Sequence, residues 1–149
     1  MAIKRETGIR TTLSVDQRVK DVVVPRMDKP IFAGMQNVDR VILAMAMGFK
    51  HGLKPELSSR NDGGFVRVEY FTPRYKALAH AMRFAESGFD DPDALQDENG
   101  TFDLIERFAN GGFQLIEGDL DENASSDEIA DAFVCDMDEL YKQYTGEPI

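Results

Sequence analysis

The chain has 149 residues, 42% hydrophobic and 30% charged, the make-up of a folded globular protein rather than of a disordered or fibrous one. A single cysteine excludes an intramolecular disulfide and a Cys-rich zinc site, two histidines speak against a His-rich metal site, and no apolar run reaches the length of a transmembrane helix. The net charge of −10 conceals a division: residues 1–60 hold 11 Lys+Arg and 6 Asp+Glu, residues 61–149 hold 6 and 21, so a basic front is joined to a strongly acidic back.

Residues 1–8 read as a flexible arm without the apolar stretch of a secretion signal, so the cytoplasm is the expected compartment. From Ile9 to Val15 the pattern alternates, with Ile9, Thr11, Leu13 and Val15 on one face and Arg10, Thr12 and Ser14 on the other, which predicts a strand. Ser14 or Asp16 then caps a short helix carrying Val19, Val22 and Val23, which Pro25 ends. Asn37 caps a helix over residues 38–51 whose apolar positions nearly close the circle. Such a helix is buried or sits at a subunit interface, and Gly52 stops it.

Residues 53–64 read as a polar loop and residues 65–71 as a short strand or an extended segment. Thr72-Pro73 opens a helix that runs to about Ser87, buries Tyr75, Leu78, Ala79 and Met82, and ends at Gly88. Residues 89–100 are an acidic loop whose carboxylates lack the spacing of a calcium loop. Thr101 caps the next helix, which Gly111-Gly112 kinks or breaks, and residues 117–124 return to acidic loop. Ser125 and Glu128 form a capping box for the last helix, whose Ile129, Phe133, Met137, Leu140, Tyr141 and Tyr144 recur at three and four. The expected fold is mainly α: an N-terminal strand and four to five helices.

The strand, helix, connection, helix order at the front reads like a ribbon-helix-helix unit, in which strands of two chains pair and present side chains to the major groove. Those side chains here are Arg10, Thr12 and Ser14, and the start of the second helix near Asn37 is placed to receive a phosphate. With Lys4, Arg5, Arg18, Lys20, Arg26, Lys29 and Arg40, they form the expected nucleic-acid surface, set against the plainer reading of a solvated face. Val41, Ile42, Met45 and Phe49 are the expected oligomer contacts. Asp127, Asp131 and Asp138 are the expected partner-binding residues of an acidic surface that otherwise serves solubility. No GxSxG, Walker, HExxH or CxxC pattern is present, Cys135 lies among carboxylates that disfavour a thiolate, and His80 has no evident partner. A non-enzymatic protein without metal or cofactor is expected.

Residues 39–49 with Gly52-Leu53-Lys54-Pro55, then Phe65 to Phe71 with Tyr75 to Arg83, and finally Phe102 with Gly112, Leu115 and Ile116, resemble the DndE family of bacterial DNA sulfur-modification (phosphorothioation) systems. The resemblance covers residues 9–118 and leaves 119–149 as an acidic C-terminal helix extension. It implies an oligomeric, non-catalytic accessory protein of a DNA-modification or antiphage system. It also implies contact with DNA, with a preference for nicked duplex, or with a DNA-processing partner protein. The segment between the first two helices, basic in that family, here holds only Arg26 and Lys29. Two further readings stand beside this one: an acidic protein that binds a basic protein or mimics DNA as an inhibitor, and a ribbon-helix-helix regulator.

Overall fold

In a computed structural model, residues 10–61, 63–87, 97–122 and 125–145 are described, with only part of the side chains in the last segment. The expectations for residues 1–9, including Lys4 and Arg5, for the acidic loop at 88–96 and for the chain end at 146–149 lie outside the described residues. Strand β1 (Thr12–Leu13) is followed by α1, a π-helical stretch over Val19–Val23 continued by Val24–Arg26. A 3-10 turn at Pro30–Phe32 leads to α2 (Asn37–His51). Strand β2 (Val66–Arg67), a second 3-10 turn (Val68–Tyr70), α3 (Pro73–Glu86), α4 (Glu98–Glu122) and α5 (Ser126–Thr145) complete the order. The mainly helical class and its helix number agree with the sequence reading.

Several element ends follow from local chemistry. The Thr72 hydroxyl accepts the Tyr75 N–H at 3.1 Å, and Pro73, which has no N–H to lose, opens α3. Ser125 Oγ accepts the Glu128 N–H at 3.1 Å and donates to Glu128 Oε1 at 3.0 Å. Gly52 ends α2 in the left-handed region at φ 68°, where its N–H and that of Leu53 close on Phe49 and Gly48. The start of α2 is one residue earlier than expected. Gln36, not Asn37, is the cap, and its N–H is held by the Asp39 carboxylate at 2.9 Å.

Pro25 does not end α1, which continues to Arg26. Val24 N–H reaches back five residues to Val19, and this wider turn relieves the clash a proline ring makes in an ordinary α-helix. The start of α4 also differs. Asp97 accepts the Gly100 N–H at 3.1 Å, so the helix is under way before Thr101, which is buried rather than capping.

The largest difference concerns Gly111-Gly112 and residues 117–122. No break occurs: α4 is one 25-residue helix. Gly112 lies where any Cβ would overlap the carbonyl of Ala44, Gly48 of α2 is equally closed by the carbonyl of Phe108, and Gly111 faces the carbonyl of Leu53. The glycines are therefore the seat on which α2 and α4 approach, not a hinge. The acidic tail stays helical because Ile116 and Leu120 are buried one turn apart, while Glu117 and Asp121 meet arginines. The expected domain boundary at residue 118 falls inside this helix.

Helix α4 is the centre of the fold. Ile105, Phe108, Phe113 and Ile116 are among its fully enclosed side chains, and Phe108 meets Phe49 of α2 edge to face at 5.5 Å. By contrast, α3 buries only Ala79 and Met82, and Leu78, expected in the core, is 44% exposed. Helix α5 contributes the enclosed Ile129 to the core and lies against the Pro30–Phe32 turn.

Strand β1 pairs antiparallel with β2 of the same chain, Thr12 opposite Arg67 and Leu13 opposite Val66. The pairing is extended by Phe65 N–H to Leu13 at 2.7 Å, Asn61 N–H to Val15 at 2.9 Å and a bridge between Asp16 and Arg60. The other edge of β1 is met by α4. Arg10 N–H donates to Asn99 Oδ1 at 3.0 Å and Ser14 N–H donates to Glu106 Oε2 at 2.6 Å. The predicted alternation accordingly fails at its end: Leu13, Ser14 and Val15 are all buried, because both faces of the strand are covered.

Candidate functional site

The most organised polar constellation lies where α4 meets β1 and the 53–61 segment. Glu106 is the centre of it, with its side chain only 3% exposed. Its carboxylate accepts the Ser14 N–H, both an Arg10 and an Arg60 guanidinium N–H, the latter at 2.7 and 2.8 Å. Arg10 also pairs with Asp103, one helical turn before Glu106. Farther along the same helix Arg107 Nε donates to the Lys54 carbonyl at 3.1 Å, and the Asn110 amide to those of Pro55 and Glu56 at 3.3 and 3.2 Å. The helix thereby supplies donors for the carbonyls of residues 54–56 and an acceptor for the Arg60 side chain, within a segment that has no regular structure of its own.

The basic front folds onto the acidic back. Arg18 pairs with Glu117 at 2.5 Å and Arg26 with Asp121 at 2.7 Å, next to each other on α1 and α4. Lys54 pairs with Glu86, and Lys50 with Glu139 at 3.8 Å. Of the expected nucleic-acid residues, Thr12 is exposed, Ser14 is buried, and Arg10, Arg18 and Arg26 face carboxylates. Lys29 is half-buried, while Asn37 is exposed and its Oδ1 accepts from Arg40 at 2.8 Å. Arg10 and the Ser14 N–H are held by α4, whereas Thr12 and Lys20 are exposed. Sequence reasoning missed Arg60 and Glu106, because a glutamate inside an apolar helical stretch carries no local sign of its partners.

Val41, Ile42 and Met45 are enclosed by the chain's own α4, and Phe49 is half-buried against Phe108. Their apolar character is accounted for inside one chain. Asp127, Asp131 and Asp138 are exposed on α5, and at 3.6 residues per turn the three lie within about 40° of one another. Cys135 is exposed on the same helix. No cluster of metal-ligating side chains is present among the described residues, and no described helix is long and apolar enough to cross a membrane.

The link between α2 and α3 has its own electrostatics. Tyr75 Oη donates to Asp39 Oδ1 at 2.6 Å. This bond, followed by the Gln36 N–H, holds the Asp39 carboxyl below its ordinary 3.8, and the same bond raises the Tyr75 phenol above 10.0. A lowered acid stabilises the fold above its unfolded pKa and loses that contribution as pH falls through its folded value. The raised phenol contributes below its unfolded pKa and loses that contribution as pH rises through its folded value. Tyr75→Phe is expected to return the Asp39 titration toward its ordinary value and to remove part of the stability lost on acidification below about pH 4, read by carboxyl NMR titration and acid unfolding. An unchanged Asp39 midpoint in the variant would contradict this.

Two of the surface cavities are lined by described residues. One, of about 100 Å³, is floored by Phe71, Phe102 and Ile105 and edged by Lys76, His80 and Glu98. The other, of about 440 Å³, lies beside the start of α2. Together these features define a small helical protein built around one buried helix, with several arginines of its first 60 residues paired to that helix's carboxylates. The family described as DNA sulphur modification system-associated protein 4 matches residues 10–145, and the chain belongs to that family. No curated protein and no solved structure is significantly similar to it. The resemblance to DndE thus holds at the level of the modification system, and the matched family's description names neither DndE nor a ribbon-helix-helix unit.

Proposed function

We propose that the protein is a non-enzymatic accessory subunit of a DNA sulphur modification system that contacts a basic surface of another protein of that system through α5. The observation that carries this reading is the distribution of charge. Arg10, Arg18 and Arg26 face carboxylates of α4, whereas Asp127, Asp131 and Asp138 face outward along one side of α5. Duplex binding draws its affinity from cations free to replace condensed counterions, and paired arginines supply little of that. An outward row of carboxylates attracts a positive protein surface and speeds its encounter.

The test is capture of the system's other proteins by the full chain, with Asp127→Lys, Asp131→Lys and Asp138→Lys combined, alongside a shift assay on nicked and intact duplex. Capture is expected to fall at least about tenfold in the variant, and duplex to remain unshifted at roughly 150 mM salt. Unchanged capture would overturn the reading. A second reading rests on Arg18, which is 60% exposed at its side chain, so that solvent screens its pair with Glu117. Such an arginine can exchange Glu117 for a phosphate. Duplex binding that is lost with Arg18→Glu and weakens steeply with salt would establish this second reading in place of the first.

A further inference from the structure

The 440 Å³ cleft beside the start of α2 is lined by Gln36, Asn37, Val38, Phe65, Val66 and Tyr70. Its volume is within the roughly 300–1,000 Å³ of small-molecule pockets. Two features decide what it suits. Among the described residues no cation or carboxylate lines it, and the lining consists of two primary amides, two aromatic rings and two valines. The positive end of α2 is already answered by Asp39, which accepts the Gln36 N–H at 2.9 Å and would repel a phosphate. Tyr70, at the end of a 3-10 turn, is 59% exposed and has no ring or hydrogen-bond partner among the described residues. Asn37 Oδ1 is occupied by Arg40 at 2.8 Å, which leaves the Nδ2 hydrogens as donors.

We propose that this cleft binds a nucleobase, its ring stacked on Tyr70 and its acceptor edge met by the side-chain amides of Asn37 and Gln36. Aromatic side chains stack any base, and primary amides reach its ring and exocyclic acceptors. A paired base in a duplex cannot enter, since both faces are stacked and its pairing edge is used. The ligand is therefore either a free nucleoside or an unpaired base of a nucleic-acid strand.

The experiment is NMR titration of the full chain with adenosine and with thymidine. Affinities are then measured for a thymidine oligonucleotide, its abasic analogue and the corresponding duplex. The side-chain amide resonances of Gln36 and Asn37 are expected to shift with the nucleosides. Tyr70→Ala and Asn37→Ala are each expected to weaken binding about tenfold without moving the thermal midpoint, both side chains being exposed. Binding of the oligonucleotide well above that of the nucleoside, lost in the abasic strand and the duplex, identifies an unpaired base as the ligand. Equal binding identifies a free nucleoside. Silent amide resonances, an abasic strand bound as well as the normal one, or variants that bind like the parent would overturn the proposal. Tyr70→Ala leaves α5 untouched, so this inference and partner capture fail independently.

Discussion

Glu106→Ala is expected to destabilise the protein by about 3 kcal/mol, measured as the shift in denaturant midpoint. The carboxylate accepts the Ser14 N–H and bonds from two arginines, so its removal leaves a buried amide and two guanidinium groups without their acceptor. Breaking a fully buried ion pair costs about 3–5 kcal/mol. The lower end applies here because Arg10 and Arg60, at 22% and 49% exposure, can turn to water, whereas Ser14 N–H cannot. Glu106→Gln keeps an oxygen for Ser14 and is expected to cost less. Asp103→Ala removes only the exposed arm of the network and is expected to cost under about 1 kcal/mol. Equal losses for Glu106→Ala and Asp103→Ala would show that the carboxylate is not the tie between β1 and α4.

Two glycines of the same helix are expected to respond with opposite signs. A methyl group at Gly112 would overlap the carbonyl of Ala44 and push α2 off α4, whereas nothing lies within 4 Å of the Cβ position at Gly118. Gly118→Ala is expected to raise stability by about 0.5–1 kcal/mol, because alanine is the better helix former and leaves the unfolded chain fewer conformations to lose. Gly112→Ala receives the same local benefit and is nevertheless expected to lose about 2 kcal/mol net, since overpacking of a tight helix crossing costs roughly 1–3 kcal/mol and occasionally more. Stabilisation by Gly112→Ala in thermal or denaturant unfolding would mean that the two helices do not meet there.

These two predictions mark where sequence reading succeeds and where it stops. The capped ends were legible because their determinants are contiguous: Thr72 and Pro73 ahead of Tyr75, Ser125 ahead of Glu128, and Gly52 after an apolar run. Gly111-Gly112 misled because a glycine pair signals a break only if nothing else rewards the helix. Here the absent side chains are what allow α2 to pack. Leu78 misled in the opposite direction: it fits the apolar spacing of α3, yet that helix meets the core through Tyr75, Ala79 and Met82 and leaves Leu78 44% exposed.

The candidate site was less legible than the fold. Asp127, Asp131 and Asp138 could be placed on one helix face from spacing alone, and the structure leaves them exposed. Arg10 was equally visible as a cation on a strand, but its partner Glu106 lies 96 residues away. Tyr70 had no signal beyond being aromatic, because its exposure depends on how a 3-10 turn leaves β2.

By itself, the sequence determined the mainly helical class, the capped helix ends at Gly52, Thr72 and Ser125, and the division into a basic front and an acidic back, since these rest on composition and on neighbours within a few residues. Only the tertiary structure decided which way the charges face. Packing α4 through the centre places Asp103, Glu106, Glu117 and Asp121 against arginines from the first 60 residues, and leaves the carboxylates of α5 outward. The physical reason is that a helix is chosen by hydrogen bonds four residues apart. A buried carboxylate is instead satisfied by groups that come near it only once the whole core has closed.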